Sequence, residues 1–299
     1  MEPSPGMARV RVPVVLAALA VISLALGAAM AAGQGSSSTK PLFATLNGKN
    51  EVGQNGKKNA GDKNGFGSFT LIRDGNRFCY AYVIRNIDRP VSGSIFRGRS
   101  TVLGQPNINL LRPSSGDPGA SNGCASRLGS QLDRIFSRPS DYYVDIAARR
   151  LRSDYSGGAI RGQLGPRRGG GTASGALVAT ISGQAEIAQD GSKGAGDTDG
   201  YGSFTAIRDG NQLCYGLTAA NLAKPVAAHI HTGAAGVNGA IVIPLRQPSG
   251  GDPGASAGCA TVDASLLAQI FANPSAYYVN VHTGDFPNGA ARGQLQRNR

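Results

Sequence analysis

Most of the sequence is an internal repeat that occurs in two copies. The segment GFGSFTLIRDGNRFCY at 65–80 returns 135 residues later as GYGSFTAIRDGNQLCY at 200–215. Further along, AIRGQL at 159–164 returns as AARGQL at 290–295. The sequence therefore predicts one scaffold built twice, with enough residues in each copy for a core of its own.

A short stretch rich in glycine and arginine, at 166–173, separates the two copies. Its composition is typical of a flexible linker. We therefore predict two domains, one at 40–165 and one at 174–299.

The first 33 residues have the composition of a targeting segment. Arg9 and Arg11 precede an apolar run at 14–32 that ends in small residues. This order is typical of a signal peptide, so we predict cleavage after about residue 33, a secreted protein and no membrane span in its mature form. An uncleaved N-terminal anchor is the alternative, because the run is long enough to span a bilayer.

The four cysteines show the same spacing in both copies. Cys79 and Cys124 are separated by 45 residues, and so are Cys214 and Cys259. In a secreted chain this pattern favours one disulfide bond per repeat, because each repeat must fold as a unit.

Alternating apolar residues and frequent turns predict a β-rich fold. Residues 202–207 and 213–218 alternate on either side of Asp209-Gly210-Asn211, which favours a tight hairpin. One helix is expected at 263–271, with Thr261 or Asp263 as its N-cap. The fold class predicted is all-β, with two tandem antiparallel β-sandwich or flattened-barrel domains and one short helix in each.

The net charge of +12 is concentrated in the first copy. Residues 40–165 contain 19 Lys/Arg and 9 Asp/Glu, whereas residues 175–299 contain 7 and 8. A basic extracellular surface predicts binding to an acidic polysaccharide or another anionic surface, and plain solubility is the alternative. Specific nucleic-acid binding is not expected, because no recognition motif accompanies the charge.

All three histidines of the chain lie in the second copy. His229 and His231 are two residues apart and therefore share one face of a strand, while His282 shares a face with Tyr278 and Asn280 on another. If the two strands pair, three imidazoles converge and leave a coordination position open, which suits copper or zinc. Separate structural or hydrogen-bonding roles for the histidines are the alternative.

The first copy replaces the three histidines together. Their counterparts are Ser94, Phe96 and Ala147, and the loss of the histidines as a set suggests that they act as a set.

Evidence for catalytic residues is weaker. Arg292 is a candidate guide for an anion approaching the histidines, but Arg161 occupies its place in the copy without histidines, which favours a structural role. Glu51 and Glu186 recur in both copies and are interpreted as scaffold. No serine or cysteine has a credible base beside it, so covalent hydrolysis is not expected.

Two motifs of the second copy resemble a known family. They are AHIHTGAAGVNGAIV at 228–242 and YYVNVHTGDFPNGAARGQL at 277–295. Both are similar to the CHRD domain, a module of secreted proteins that takes its name from chordin. The second copy fits the pattern closely, and the first resembles a degenerate CHRD domain without histidines.

The histidine pattern is also similar to that of copper/zinc superoxide dismutases, which are disulfide-bearing Greek-key β-sandwiches. This resemblance implies a Greek-key fold and a mononuclear copper site at His229, His231 and His282, with zinc as second choice. Those enzymes surround copper with four histidines, whereas this chain contains three.

Two functions follow as hypotheses. The first is a secreted tandem CHRD protein that acts as an extracellular binding module, with a metal site in its second domain. The alternative is a copper-dependent redox enzyme of superoxide dismutase type, with the three histidines as ligands and Arg292 guiding the anion. The sequence leaves open whether any reaction is catalysed.

Overall fold

The computed structural model describes Met1 and residues 40–53, 56–149, 158–166 and 175–298. The predicted signal peptide at 1–33, apart from Met1, and the predicted linker, apart from Pro166, lie outside the described residues. Both repeats belong to one compact unit that extends from Ser36 to Arg299. Within the described ranges, no helix combines the length and the apolar character needed to cross a bilayer.

The first repeat consists of strands and one short helix. Its strands are β1 (Leu42–Asn47), β2 (Phe66–Asp74), β3 (Arg77–Arg85), β4 (Pro90–Arg97), β5 (Gln105–Leu110), β6 (Gly119–Ser126), β7 (Tyr142–Ala148), β8 (Ile160–Gln163) and β9 (Gly165–Pro166). Its helix is α1 (Gly129–Ser137), between β6 and β7.

The second repeat has the same elements in the same order. Its strands are β10 (Ala176–Ser182), β11 (Tyr201–Asp209), β12 (Gln212–Ala220), β13 (Pro225–Thr232), β14 (Ile241–Leu245), β15 (Gly254–Thr261), β16 (Tyr277–Thr283), β17 (Ala291–Gln294) and β18 (Gln296–Arg297). Its helix is α2 (Ala264–Ala272), between β15 and β16.

Each repeat folds into one antiparallel sheet that curls into a nearly closed, flattened barrel. The strand order in the first is β5-β4-β7-β8-β1-β2-β3-β6, with β9 beside β1, and the second repeats this order. The chain leaves β3 for β4 at the far side of the sheet and returns from β5 to β6, beside β3, which is Greek-key connectivity. The predicted all-β fold class is confirmed.

Alternation along the strands separates a core face from an outer face. In the second repeat, Ile230 on β13 and Val279 and Val281 on β16 are buried in the barrel core. Because successive side chains point to opposite faces, the residues between them lie on the outer face. This alternation is the one that the sequence predicted for these two strands.

The helix of the second repeat is also confirmed. It begins one residue later than predicted, and Asp263 is its N-cap, with a side-chain carboxylate that accepts hydrogen bonds from the backbone N–H groups of Ser265 and Leu266. Leu267 and Ile270 anchor the helix in the core.

Both predicted disulfide bonds are present. Cys79–Cys124 links directly opposite residues of β3 and β6, and Cys214–Cys259 does the same for β12 and β15. Disulfide bonds suit a protein that folds in an oxidising compartment.

The two barrels pack through the outer faces of equivalent strands. Thr70 Oγ1 donates to Ser203 Oγ at 2.6 Å, and Thr205 Oγ1 donates to Ser68 Oγ at 2.5 Å. Ser203 and Thr205 are the counterparts of Ser68 and Thr70, so the two contacts are reciprocal, as in a two-fold dimer. The tandem repeat is therefore an internal pseudo-dimer with a buried polar seam.

Candidate metal centre

The pairing of β13 with β16 brings the three histidines to one surface. His229 lies opposite Asn280, His231 lies opposite Tyr278, and His282 lies opposite Ala227. Directly opposite residues of an antiparallel pair share a face, so all three imidazoles are on the outer face of these two strands. The structure thus brings together the three residues that the sequence singled out.

The imidazole nitrogens are close enough to share one ion. His229 Nδ1 and His282 Nε2 are 3.2 Å apart, and one ligand nitrogen from each of the three histidines lies within 4.8 Å of the others. Two nitrogens bound to one tetrahedral zinc at about 2.0–2.1 Å are roughly 3.3 Å apart. The His229–His282 pair already has that separation.

Two backbone carbonyl groups orient the imidazoles. His231 Nδ1 lies 3.0 Å from the carbonyl oxygen of Gly239, and His282 Nδ1 lies 2.9 Å from that of Pro287. A carbonyl can only accept, so each Nδ1 carries the proton and each Nε2 keeps its lone pair. Second partners of this kind fix the tautomer and orientation of metal-binding histidines.

The lone pair on His231 Nε2 accepts no hydrogen bond from the described part of the chain. His231 is 7 % exposed, and its Nε2 is buried without a hydrogen-bond partner there. Such an atom is costly to bury unless something binds to it.

The surroundings favour neutral imidazoles. Burial lowers the pKa of His229 below its ordinary value, and the neighbouring His282 and His231 lower it further. Burial also lowers the pKa of His231, although the hydrogen bond to Gly239 acts in the opposite direction. The neutral imidazole is the form that coordinates metals.

Comparison with known families gives the same result for both repeats. The CHRD domain family model matches residues 42–164 and residues 177–295, which together make up most of the chain. The chain belongs to the CHRD family. No curated protein matches it. Because the first CHRD repeat matches without any histidine, the imidazole cluster is a feature of the second repeat and not a requirement of the domain.

A stack of three side chains supports the cluster in the second CHRD repeat. The ring of His231 is parallel to that of Tyr278, with centroids 4.8 Å apart, and the guanidinium carbon of Arg292 lies 3.4 Å from the centroid of the same tyrosine ring. Tyr278 Oη accepts a hydrogen bond from the N–H of Gly239, the residue whose carbonyl orients His231. The stack therefore fixes both the ring of His231 and the loop beside it.

Arg292, the candidate anion guide, is 2 % exposed. Its guanidinium donates to the carbonyl oxygens of Ala234 and Val237 and to Asn238 Oδ1, at 2.7–3.1 Å. It holds the 233–239 loop in place, an arrangement that suits the structural role indicated by Arg161 in the first repeat.

Asn280 links the outer face to a buried acid. Its side-chain amide donates to Glu186 Oε2 at 3.4 Å. Burial raises the pKa of Glu186 to about 7, even though Arg292 and Asn280 both favour its ionised form.

The sequence did not identify the two orienting carbonyls. Residue type carries no signal for a backbone acceptor. A Cβ on Gly239 would lie 2.0 Å from the carbonyl oxygen of Thr232, so only glycine fits where this carbonyl faces His231.

The equivalent surface of the first repeat keeps the stack but lacks the three histidines. Phe96 takes the place of His231 and is parallel to Tyr143, with centroids 5.1 Å apart, while the guanidinium carbon of Arg161 lies 3.3 Å from the centroid of Tyr143. Ser94 lies opposite Asp145, and Ala147 lies opposite Ser92. Among the described residues, the only three-ligand group is the one in the second repeat.

Proposed function

We propose that this chain is a secreted tandem CHRD protein that serves as an extracellular binding module, and that its second repeat binds one metal ion through His229, His231 and His282. Copper is the first choice of metal and zinc is the second. The first repeat is a version of the same domain without ligands.

The unpaired Nε2 of His231 carries this proposal. If the histidines served only as hydrogen-bonding groups, this buried acceptor would need a donor, and the described residues provide none. Leaving such a group unsatisfied costs about 1–3 kcal/mol. A metal ion would use the lone pairs of His231 and His282, which the carbonyls of Gly239 and Pro287 already hold in the required tautomer.

The donor set limits the choice of metal. Neutral imidazole suits zinc and copper, and three imidazoles leave a position free for water or for an external ligand. An ion held in this way would let the module bind a ligand through direct coordination.

Secretion is supported by two features that do not depend on the metal site. The N-terminal residues follow the order of a signal peptide, and each repeat carries a disulfide bond.

The redox alternative has less support. The chain contains three histidines in total, and Arg292 is enclosed by its own loop, with 2 % of its surface exposed. These observations favour a binding site over a dismutase.

The first repeat supplies the test variant. We would compare the metal content of residues 34–299 with that of a triple variant carrying the first repeat's residues, His229→Ser, His231→Phe and His282→Ala. Both proteins would be loaded with copper or zinc, dialysed and analysed for metal. We expect one equivalent in the wild type and none in the variant, with similar thermal unfolding because the first repeat folds with these residues.

One control makes the result specific. A variant with Ser94→Ala and Phe96→Leu changes the equivalent surface of the first repeat and should retain one equivalent of metal. A wild-type protein that holds neither copper nor zinc after loading would refute the metal site and leave a binding module without metal.

A further inference from the structure

The buried arginines of the two repeats share most of their hydrogen bonds. Arg292 Nη2 donates to the carbonyl oxygens of Ala234 and Val237. Arg161 Nη2 donates in the same way to those of Arg99 and Val102, which are the equivalent residues of the first repeat, at 2.6 and 2.9 Å. The two guanidinium groups are therefore held in the same orientation.

The other terminal nitrogen differs between the repeats. Arg292 Nη1 donates to Asn238 Oδ1 at 3.0 Å. Leu103 stands at the position of Asn238 in the first repeat, and its side chain cannot accept a hydrogen bond. Arg161 is 1 % exposed, and its Nη1 has no hydrogen-bond partner among the described residues.

Arg161 lines a small polar pocket of about 130 Å³. This volume corresponds to roughly four water molecules. The pocket is lined by Asn50, Lys58, Ser100, Arg161 and Gln163. A buried cation with an unused donor, an exposed cation and a hydroxyl group thus border one cavity.

We propose that this pocket binds a single tetrahedral oxyanion group, a sulfate or a phosphate, through Arg161 and Lys58. The guanidinium fork matches the geometry of oxyanions, and the ammonium group of a lysine adds a point charge. The pocket belongs to the repeat that carries nearly all of the net positive charge, so long-range attraction draws anions to the same domain. This site does not depend on the metal centre of the second repeat.

The nearby acids cancel only part of this positive charge at neutral pH. Burial, together with the neighbouring Asp145, raises the pKa of Glu51 to about 9, and burial raises the pKa of Asp145 to about 7. Glu51 is therefore protonated at neutral pH, which leaves the charge of Arg161 facing at most one carboxylate.

The second repeat lacks this combination. Asn238 already occupies the free nitrogen of Arg292, and alanines stand at the positions of Asn50 and Ser100. Lys193 is the counterpart of Lys58, which makes it a matched control.

The group can reach the pocket as a free ion or as part of a sulfated polysaccharide. Gln163 favours the polysaccharide, because its Oε1 is buried without a donor among the described residues and a sugar hydroxyl could supply one. The exposed Lys58 leaves a side of the pocket accessible to a longer chain.

The test titrates sodium sulfate into the secreted protein at constant ionic strength and follows the amide NMR signals around Ser100. Leu103→Asn should give Arg161 Nη1 the partner that Arg292 has, and Lys58→Gln removes the exposed cation. We expect each to weaken sulfate binding by about tenfold or more, because each removes a charge-assisted contact. Leu103→Met and Lys193→Gln should bind sulfate as the wild type does.

A second arm uses a sulfated hexasaccharide and its desulfated form. Tighter binding of the sulfated hexasaccharide than of free sulfate, lost in Leu103→Asn, would identify a polysaccharide as the source. Equal affinity for the sulfated hexasaccharide and for free sulfate would identify the free ion as the source. If Leu103→Asn and Lys58→Gln bind both probes as tightly as the wild type, the pocket is not the site and the proposal is wrong.

Discussion

The two repeats share a stacked column but differ in the ring at its end. In both, an arginine lies about 3.3–3.4 Å from the centroid of a tyrosine ring and holds the neighbouring loop. The third ring is His231 in the second repeat and Phe96 in the first. The column is therefore part of the scaffold, and the ring at its end is one of the three positions at which the second repeat has a histidine and the first does not.

A second difference concerns buried charge. Asn280 lies beside Glu186 in the second repeat, whereas Asp145 takes its place beside Glu51 in the first. The first repeat therefore buries two carboxyl groups where the second buries a carboxyl and an amide. The scaffold accommodates both arrangements. Only in the first repeat does the ionisation of a second buried acid lower the free energy of unfolding at high pH.

The largest expected effect comes from removing the disulfide bonds, and it tests whether the two repeats are equally stabilised. Each disulfide bond spans 45 residues, so the loss of either is expected to cost about 4 kcal/mol of unfolding free energy in the chain-entropy model. The variants are Cys79→Ala with Cys124→Ala, and Cys214→Ala with Cys259→Ala. Urea unfolding would compare them, and clearly unequal losses would show that the repeats are not equivalent in stability.

The buried acids predict a stronger pH dependence in the first repeat, which has two carboxyl groups with raised pKa values, than in the second, where Glu186 is the counterpart of Glu51. The raised pKa values of Asp145 and Glu51 mean that the folded state binds more protons than the unfolded state between about pH 4 and pH 9. The free energy of unfolding therefore falls as the pH rises through that range. Asp145→Asn, which introduces the residue of the second repeat, should stabilise the protein by about 1–3 kcal/mol at pH 8.

Urea unfolding at pH 4, 6 and 8 would check this effect. The stabilities of wild type and Asp145→Asn should be closest at pH 4, where the carboxyl group is protonated in the folded state and near its ordinary pKa of 3.8 in the unfolded state. Asn280→Asp should strengthen the pH dependence of the second repeat by adding a second buried carboxyl group beside Glu186. A constant difference between wild type and Asp145→Asn across the three pH values would contradict the buried-charge explanation.

The sequence could predict the histidine cluster because it depends on strand alternation. His229, His231 and His282 occupy alternate positions of two strands, and the alternation of Ile230, Val279 and Val281 determines which face they take. The sequence could also predict the disulfide bonds and the helix, because cysteine spacing and N-capping are local signals.

The contact between the repeats was not predictable in the same way. Ser68 and Thr70 alternate with apolar residues, which in a single strand indicates a face exposed to water. In the structure their side chains are fully buried against Ser203 and Thr205. This burial depends on the other repeat being present, and no pattern within one strand contains that information.

Substitutions in the polar seam between the repeats should lower the free energy of unfolding by a smaller amount, and the amount should differ between its two reciprocal contacts. Thr205→Val leaves Ser68 Oγ without its partner and should cost about 1–2 kcal/mol of unfolding free energy. Thr70→Val should cost less, because Ser203 Oγ retains a contact of 2.6 Å with Thr218 Oγ1. Ser68 has no such second partner at the equivalent position, because Val83 is the counterpart of Thr218 in the first repeat. Urea unfolding would rank the variants, and equal costs would show that Thr218 does not compensate.

The smallest effect concerns the start of the two helices. Asp263 caps α2, whereas Leu128 stands at the same position before α1, makes no capping hydrogen bond and is 76 % exposed. The backbone angles are nearly the same, φ −57° and ψ 132° at Leu128 and φ −53° and ψ 135° at Asp263, so an aspartate fits at position 128 without rearrangement. Leu128→Asp should therefore stabilise the protein by about 0.5–1 kcal/mol, because its carboxylate would accept from N–H groups of the first turn.

The measurement is the thermal midpoint, which should rise by about 1–4 °C for a protein of this size. Leu128→Ala is the matched control: it removes the exposed apolar side chain without adding a cap, so it separates capping from the loss of apolar exposure. Asp263→Leu removes the cap of α2 and should lower the thermal midpoint. If Leu128→Asp and Leu128→Ala have the same midpoint, the carboxylate does not cap α1, and the helix starts of the two repeats differ in more than this one side chain.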